Sequence, residues 1–262
     1  MPPRVLILRA PGTNCDQETA FAFQQAGAVA EPVHVNRMLQ QPERLRSYQI
    51  VCFPGGFSYG DDVAAGRILG NQIQHHLAEE LARFKADGKL ILGICNGFQI
   101  LIKSGILLEN DPQLGPQATL TWNESGRYED RWVRLQVQPG PCVFLQGIES
   151  MYLPVAHAEG KFVPRDAQTL AGLQSRAQLV LRYQPLRGAG CACGQPLPFP
   201  DNPNGSVANT AGVCDPTGRV LGLMPHPERH IDPTQHPRWT RGEAGPVGDG
   251  LQLFRNAVRY FA

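Results

Sequence analysis

No apolar run in this 262-residue chain approaches the roughly 18 residues that a helical membrane span needs. An excess of one charge is missing too. The 24 lysines and arginines face 23 acids, a formal net charge of +1, so nothing pulls the chain toward nucleic acid or an anionic membrane surface. No G-x-x-x-x-G-K-[ST] phosphate loop occurs, and there is no internal repeat or low-complexity stretch. The first residues, MPPRVLILRAPGTN, hold only a short apolar segment before a Pro-Gly turn. They read as a first strand and not as a signal peptide. The seven cysteines are odd in number and scattered, which does not describe a disulfide framework and makes a reducing, cytoplasmic setting the default. Cys191-Ala192-Cys193 lacks the wider spacing of a usual zinc pair and reads as a loop pair without metal; no metal site is expected.

Apolar runs alternate with amphipathic stretches in the first half. Residues 4–8, 49–53 and 89–94 read as buried strands, and 16–27, 66–87 and 98–104 as helices. Such alternation predicts an α/β fold with a mostly parallel central sheet flanked by helices. The second half reads differently. Residues 118–122, 131–137, 151–155 and 179–183 look like strands joined by turns, with few helical patterns, which predicts an antiparallel extension. Residues 188–205 read as a loop, 220–224 as another buried strand, 231–248 as irregular, and 250–261 as a terminal amphipathic helix.

Two short motifs carry chemistry. Gly93-Ile94-Cys95-Asn96-Gly97 lies between an apolar strand and a helix and has the form of a nucleophile elbow with cysteine in place of serine. The flanking glycines allow a tight backbone turn, the helix N-terminus favours a thiolate, and the Asn96 amide is set to meet an oxyanion. A buried structural cysteine is the bland alternative. Met224-Pro225-His226-Pro227-Glu228 follows another apolar strand. Side chains two apart in an extended segment share a face, so Glu228 can orient the His226 imidazole while its other nitrogen takes a thiol proton. A surface loop with a chance His and Glu is the alternative. Taken together, the motifs describe a Cys-His-Glu triad. His34, His75, His76, His230 and His236 show no partner in the sequence, and Cys15, Cys52, Cys142 and Cys214 read as core or loop thiols.

The elbow followed much later by His-Pro-Glu resembles the class I glutamine amidotransferases. Further stretches narrow the resemblance: PGTNCDQE at 11–18, PGGFSYGDD at 54–62, NESGRYEDRW at 123–132, AHAEGKF at 156–162, NPNGS at 202–206 and MPHPERH at 224–230. Together they resemble the glutaminase subunits of phosphoribosylformylglycinamidine synthase, nearly end to end. The resemblance implies a flavodoxin-like fold, a single amidotransferase domain over residues 1–262, and a glutamyl thioester on Cys95 with His226 and Glu228 completing the triad. It implies oxyanion donors at Gly56 and Asn96, and a glutamine pocket or partner face drawn from Gly55, Gly56, Phe57, Gln99, Asn123, Ser125, Arg127 and His157. It also implies that this chain binds no cofactor. ATP and Mg would belong to a larger synthetase subunit, with a small bridging subunit left open, and glutaminase activity would be low without that partner. Ala158 and Tyr128 depart mildly from the family pattern, where glycine and phenylalanine are common. The segments 191–200 and 231–248 carry extra length.

Overall fold

The computed structural model describes residues 1–186 and 195–262; the Cys191-Ala192-Cys193 pair and most of the 188–205 loop's first half lie outside them. The chain enters through β1 (Arg4–Arg9), α1 (Asp16–Gln25), β2 (Val29–His34), α2 (Val35–Gln40) and β3 (Ile50–Phe53). It continues through α3 (Arg67–His76), α4 (Ala78–Ala86), β4 (Leu90–Ile94) and α5 (Asn96–Lys103). The second half holds β5 (Ala118–Thr121), β6 (Glu129–Val137), β7 (Ser150–His157), β8 (Lys161–Pro164), α6 (Ala167–Ser175) and β9 (Leu181–Gln184). It closes with β10 (Thr210–Cys214), β11 (Val220–Leu223) and α7 (Leu251–Arg259).

A nine-stranded sheet runs β2-β1-β3-β4-β11-β10-β9-β6-β7. Its first five strands pair in parallel, and the other pairings are antiparallel, so the expected extension begins at β10. β5 and β8 form a separate antiparallel ribbon. β1, β3, β4 and β11 are buried along nearly their whole length, as strands covered on both faces must be. β6 and β9 instead alternate buried and more exposed positions. α1 meets α7 through an edge-on contact of Phe23 with Phe254, ring centroids 4.9 Å apart. α5 lies across β4 and β11; a Cβ at Gly222 would stand 2.1 Å from the Phe98 ring, so glycine there is what lets helix and sheet approach.

Several elements differ from expectation. The helix expected over 66–87 is two helices, parted at Leu77, whose backbone leaves helical geometry (φ −123°, ψ −2°). Both pieces keep apolar faces on the core through Leu69, Ile73, Leu81 and Phe84, and no glycine or proline marks the break. β2 escaped notice because Pro32 interrupts it; it is an edge strand, where a missing N–H is tolerated. β10 is built around Ala211 and Gly212, too small to read as a strand. α6 is announced only by its cap, the Asp166 carboxylate accepting from the Thr169 N–H at 2.7 Å, a standard N-terminal signal. Among the described residues, no helix is long and apolar enough to cross a membrane.

Candidate active site

The elbow forms where β4 turns into α5. Cys95 takes φ 51° and ψ −105°, a backbone region that costs a non-glycine residue on the order of 1–3 kcal/mol. Its N–H donates to the Leu223 carbonyl at 2.8 Å, which ties the turn to β11. A Cβ at Gly97 would stand 1.8 Å from the Phe53 carbonyl oxygen, and one at Gly93 2.7 Å from that of Gly97. Both glycines are therefore fixed by close packing. The Cys95 Sγ, nearly buried, lies 3.6 Å from the Ala156 carbonyl at the end of β7.

The second motif leaves β11 and is held by the His226 N–H donating to the Pro154 carbonyl at 2.8 Å. His226 Nδ1 and Glu228 Oε1 are 2.6 Å apart, with side chains 2% and 0% exposed. The carboxylate thus accepts the Nδ1–H hydrogen bond and leaves Nε2 as the free ring nitrogen. Among the described residues, Nε2 and the second Glu228 oxygen have no hydrogen-bond partner. Burial alone would pull the His226 pKa down, but the Glu228 carboxylate and the Cys95 sulfur outweigh it and hold the imidazole well above its ordinary value. Gly55 makes room for this ring: a Cβ there would stand 2.8 Å from its Cε1.

Cys15, read from sequence as a core or loop thiol, is a neighbour of the same pair. Its sulfur, His226 and Glu228 offer ligand atoms within 4.8 Å of one another. Such a trio could approach a metal, but the shortest member is a hydrogen bond and the Arg229 guanidinium already sits on the sulfur, Nη2 at 3.2 Å. Arg229 is held in turn by Glu18 at 2.8 Å. Burial pushes the Cys15 thiol up to about 11, with His226 opposing.

A cavity of about 250 Å³ opens onto Cys95, with Gly56, Phe57, Gln99 and His157 in its wall. The Gly56 backbone (φ 142°) suits only glycine, and a Cβ would meet Asn14 N and Gly12 O at 2.8 Å. The neighbouring Phe57 N–H donates to Gly12 O, and no acceptor takes the Gly56 N–H among the described residues. The Asn96 N–H is the first of α5 and has no carbonyl one turn back. Its side chain laces the 58–61 turn to the elbow, accepting from the Ser58 N–H at 3.2 Å and donating to Asp61 and to Gln99. Gln99 Nε2 reaches the Glu159 carbonyl at 2.7 Å.

Other expected pocket residues stand elsewhere. Asn123 is buried scaffold, donating to the Arg127 and His157 carbonyls at 2.8 Å and pairing with His157 Nδ1 at 3.1 Å. Ser125 bonds Glu129 and, like Arg127, is exposed and off the cavity. Burial, reinforced by the charge of His226, holds His157 down near 3. Asp61 and Trp122 join the wall without having been picked out, and Glu159 joins it from the 157–160 stretch expected to line the pocket or the partner face. Asp61 and Glu159 fall inside motifs noticed in the sequence, but only the fold turns them toward the thiol. A larger cleft of about 780 Å³ at β6 and β7 holds no nucleophile; His230, bonded to the Tyr152 carbonyl at 2.7 Å, and His236 line it.

A strained cysteine elbow, a buried histidine–carboxylate pair beside it and a mixed sheet define the class I glutamine amidotransferases. Residues 2–261 match the family described as CobB/CobQ-like glutamine amidotransferase domain, and the chain belongs to that family. Relatives include the phosphoribosylformylglycinamidine synthase subunit PurQ of Dehalococcoides mccartyi, 48% identical over 98% of this chain and 97% of its own. The subunit of the same name from Methanococcus maripaludis is 40% identical over 99% and 97%. A solved structure of PurLQS from Thermotoga maritima contains a chain that matches all of this one and all of its own length, with TM-score 0.73 and 30% identity.

Proposed function

We propose that this chain is the cytoplasmic glutaminase subunit of phosphoribosylformylglycinamidine synthase. The observation that carries the reading is the buried His226–Glu228 pair, 2.6 Å apart, beside a cysteine held in a strained strand-to-helix turn. The carboxamide of L-glutamine enters the cavity, and Cys95 gives its proton to His226 Nε2 and attacks the carboxamide carbon. The N–H groups of Gly56 and Asn96 meet the oxygen as it becomes negative. His226 returns the proton to the departing nitrogen, ammonia leaves, and a glutamyl thioester remains. Water, deprotonated by the same imidazole, then attacks the thioester carbonyl, and glutamate is released. Glu228 keeps the imidazole in the right tautomer and stabilises its cation throughout.

Ammonia passes to a larger ATP- and Mg-dependent synthetase subunit, which converts formylglycinamide ribonucleotide to the formylglycinamidine in purine synthesis. The docking face lies at the cavity mouth, including parts of 58–62, 123–130 and 157–161. In support, Phe57 and Tyr128 stack there with ring centroids 6.4 Å apart while 42% and 49% exposed, and the exposed Trp122 lines the same cavity. Apolar rings at a protein surface are what an interface core uses. The test is glutamine hydrolysis by wild type and Cys95→Ala, each alone and with synthetase. Activity that survives Cys95→Ala would remove the thioester route.

A further inference from the structure

The buried His226–Glu228 pair has a cation beside it that it does not use. Arg229 follows Glu228 directly in the chain, and the charge of Glu228 acts on its guanidinium. One oxygen of Glu228 is buried with no hydrogen-bond partner among the described residues. A guanidinium and a carboxylate this near tend to join in a forked pair, the stronger for being shielded from water. Here the cation is turned elsewhere. Arg229 Nε donates to Glu18 on α1 at 2.8 Å, and Nη2 donates to the Cys15 sulfur at 3.2 Å. The same sulfur lies within 4.8 Å of a ring nitrogen of His226 and an oxygen of Glu228. Cys15 is itself tied down. Its N–H donates to the Gly55 carbonyl at 3.2 Å, its carbonyl accepts from the Thr19 hydroxyl at 2.6 Å, and its thiol donates to the Asn14 side chain at 3.2 Å. The proton so engaged leaves the sulfur a neutral, weak acceptor, and burial, which pushes the thiol up to about 11, keeps that proton in place.

We propose that Cys15 is a positioning residue which, together with Glu18, holds the Arg229 guanidinium on its sulfur and so keeps the Glu228 carboxylate free for His226. This rests on the glutaminase reading and deepens it: Cys95 meets the substrate, whereas Cys15 acts only through Arg229. A guanidinium swung onto the free Glu228 oxygen would neutralise the carboxylate and draw it off the Nδ1–H. The imidazolium formed when Cys95 gives up its proton would then lose its support. A thiol suits this place because it accepts from Arg229 without carrying charge. An ionised carboxylate in its stead would stand beside Glu228 and repel it.

The test is glutamine hydrolysis by the assembled enzyme carrying Cys15→Ala, Arg229→Gln or both. Cys15 is not in the wall of the cavity, so Cys15→Ala should lower kcat roughly tenfold and move KM by less than about twofold. Arg229→Gln should stay within about threefold of wild type. The double variant should return to the level of Arg229→Gln, since no cation is left to stray. Cys15→Ser still offers Arg229 a neutral acceptor and should keep kcat within about threefold of wild type. A double variant as slow as Cys15→Ala, or slower, would show that the thiol serves by packing alone and would overturn the proposal. Wild-type kcat in Cys15→Ala would overturn it too. If Cys15→Ala does not fold, Glu18→Gln decides, because it releases Arg229 at the half-exposed end of the chain of contacts. It should lower kcat about threefold to tenfold, and adding Arg229→Gln should restore the loss. An unchanged kcat, or a loss that Arg229→Gln does not restore, overturns the proposal while leaving the glutaminase reading intact. No glutamine hydrolysis by the wild-type assembled enzyme would overturn both.

Discussion

The two halves of the sheet divide the work differently. In the parallel half, β1, β3, β4 and β11 are buried on both faces, and β4 and β11 deliver Cys95 and the His226 segment side by side at their C-terminal ends. That is where open α/β sheets hold their ligands. In the antiparallel half, β6 and β9 keep one wet face, and β7 with its following turn supplies Ala156, His157 and Glu159 as cavity wall. One half fixes the atoms that the proposed reaction uses, where small displacements are costly. The other shapes what can reach them.

Breaking that division begins at the thiol. Cys95→Ala should lower glutamine-dependent amidine formation by at least about a thousandfold, while ammonia-dependent formation by the assembled enzyme is kept. A parallel fall in both would make the residue structural. Glu228→Gln should come next, with a loss of about a hundredfold in kcat and an unchanged fold by circular dichroism, and His226→Ala should lose more. Wild-type turnover in Glu228→Gln would remove the orienting role.

Glycine substitutions sharpen the contrast in stability. Gly97→Ala drives a Cβ into a backbone carbonyl in the parallel half and should cost more than about 3 kcal/mol in denaturant unfolding, beyond ordinary overpacking. Gly212→Ala, on β10, meets its nearest neighbours at 3.1 Å and should cost about 1 kcal/mol. Equal costs would show the elbow to be no tighter than the rest of the sheet. The smallest effect belongs to the rim: Tyr128→Ser should leave hydrolysis by the isolated chain unchanged and lower its stimulation by synthetase about threefold to tenfold. Unchanged stimulation would move the docking face elsewhere.

The same contrast governs what could be read beforehand. Strands buried on both faces appear as short apolar runs, so β1, β3, β4 and β11 were visible, as was the elbow after β4. Short, alternating or small-residue strands leave weaker marks, and β8 and β10 were missed. The Cys95 elbow and the His226–Glu228 pair were legible because each sits in a compact motif with characteristic spacing. Cys15 and Asp61 were not singled out, because their importance arises from contacts across the fold, 211 residues in the case of Cys15 and His226 (226 − 15). Asn123 shows the reverse pattern. Its motif marks it as important, but the side chain spends its hydrogen bonds on the turns around His157.

Cys95 sets chemistry against folding. Its left-handed backbone suits a residue with no side chain, while the proposed reaction demands a sulfur at that point. Glycine normally destabilises a protein relative to alanine by about 0.5–1 kcal/mol, but here it would release strain that alanine retains. Cys95→Gly should therefore melt no lower than Cys95→Ala in a thermal scan, and a clearly lower melting temperature would show the turn to be unstrained. In a lineage freed from the need for glutamine, drift at this position would run downhill in energy. Selection for stability alone would never keep the thiol.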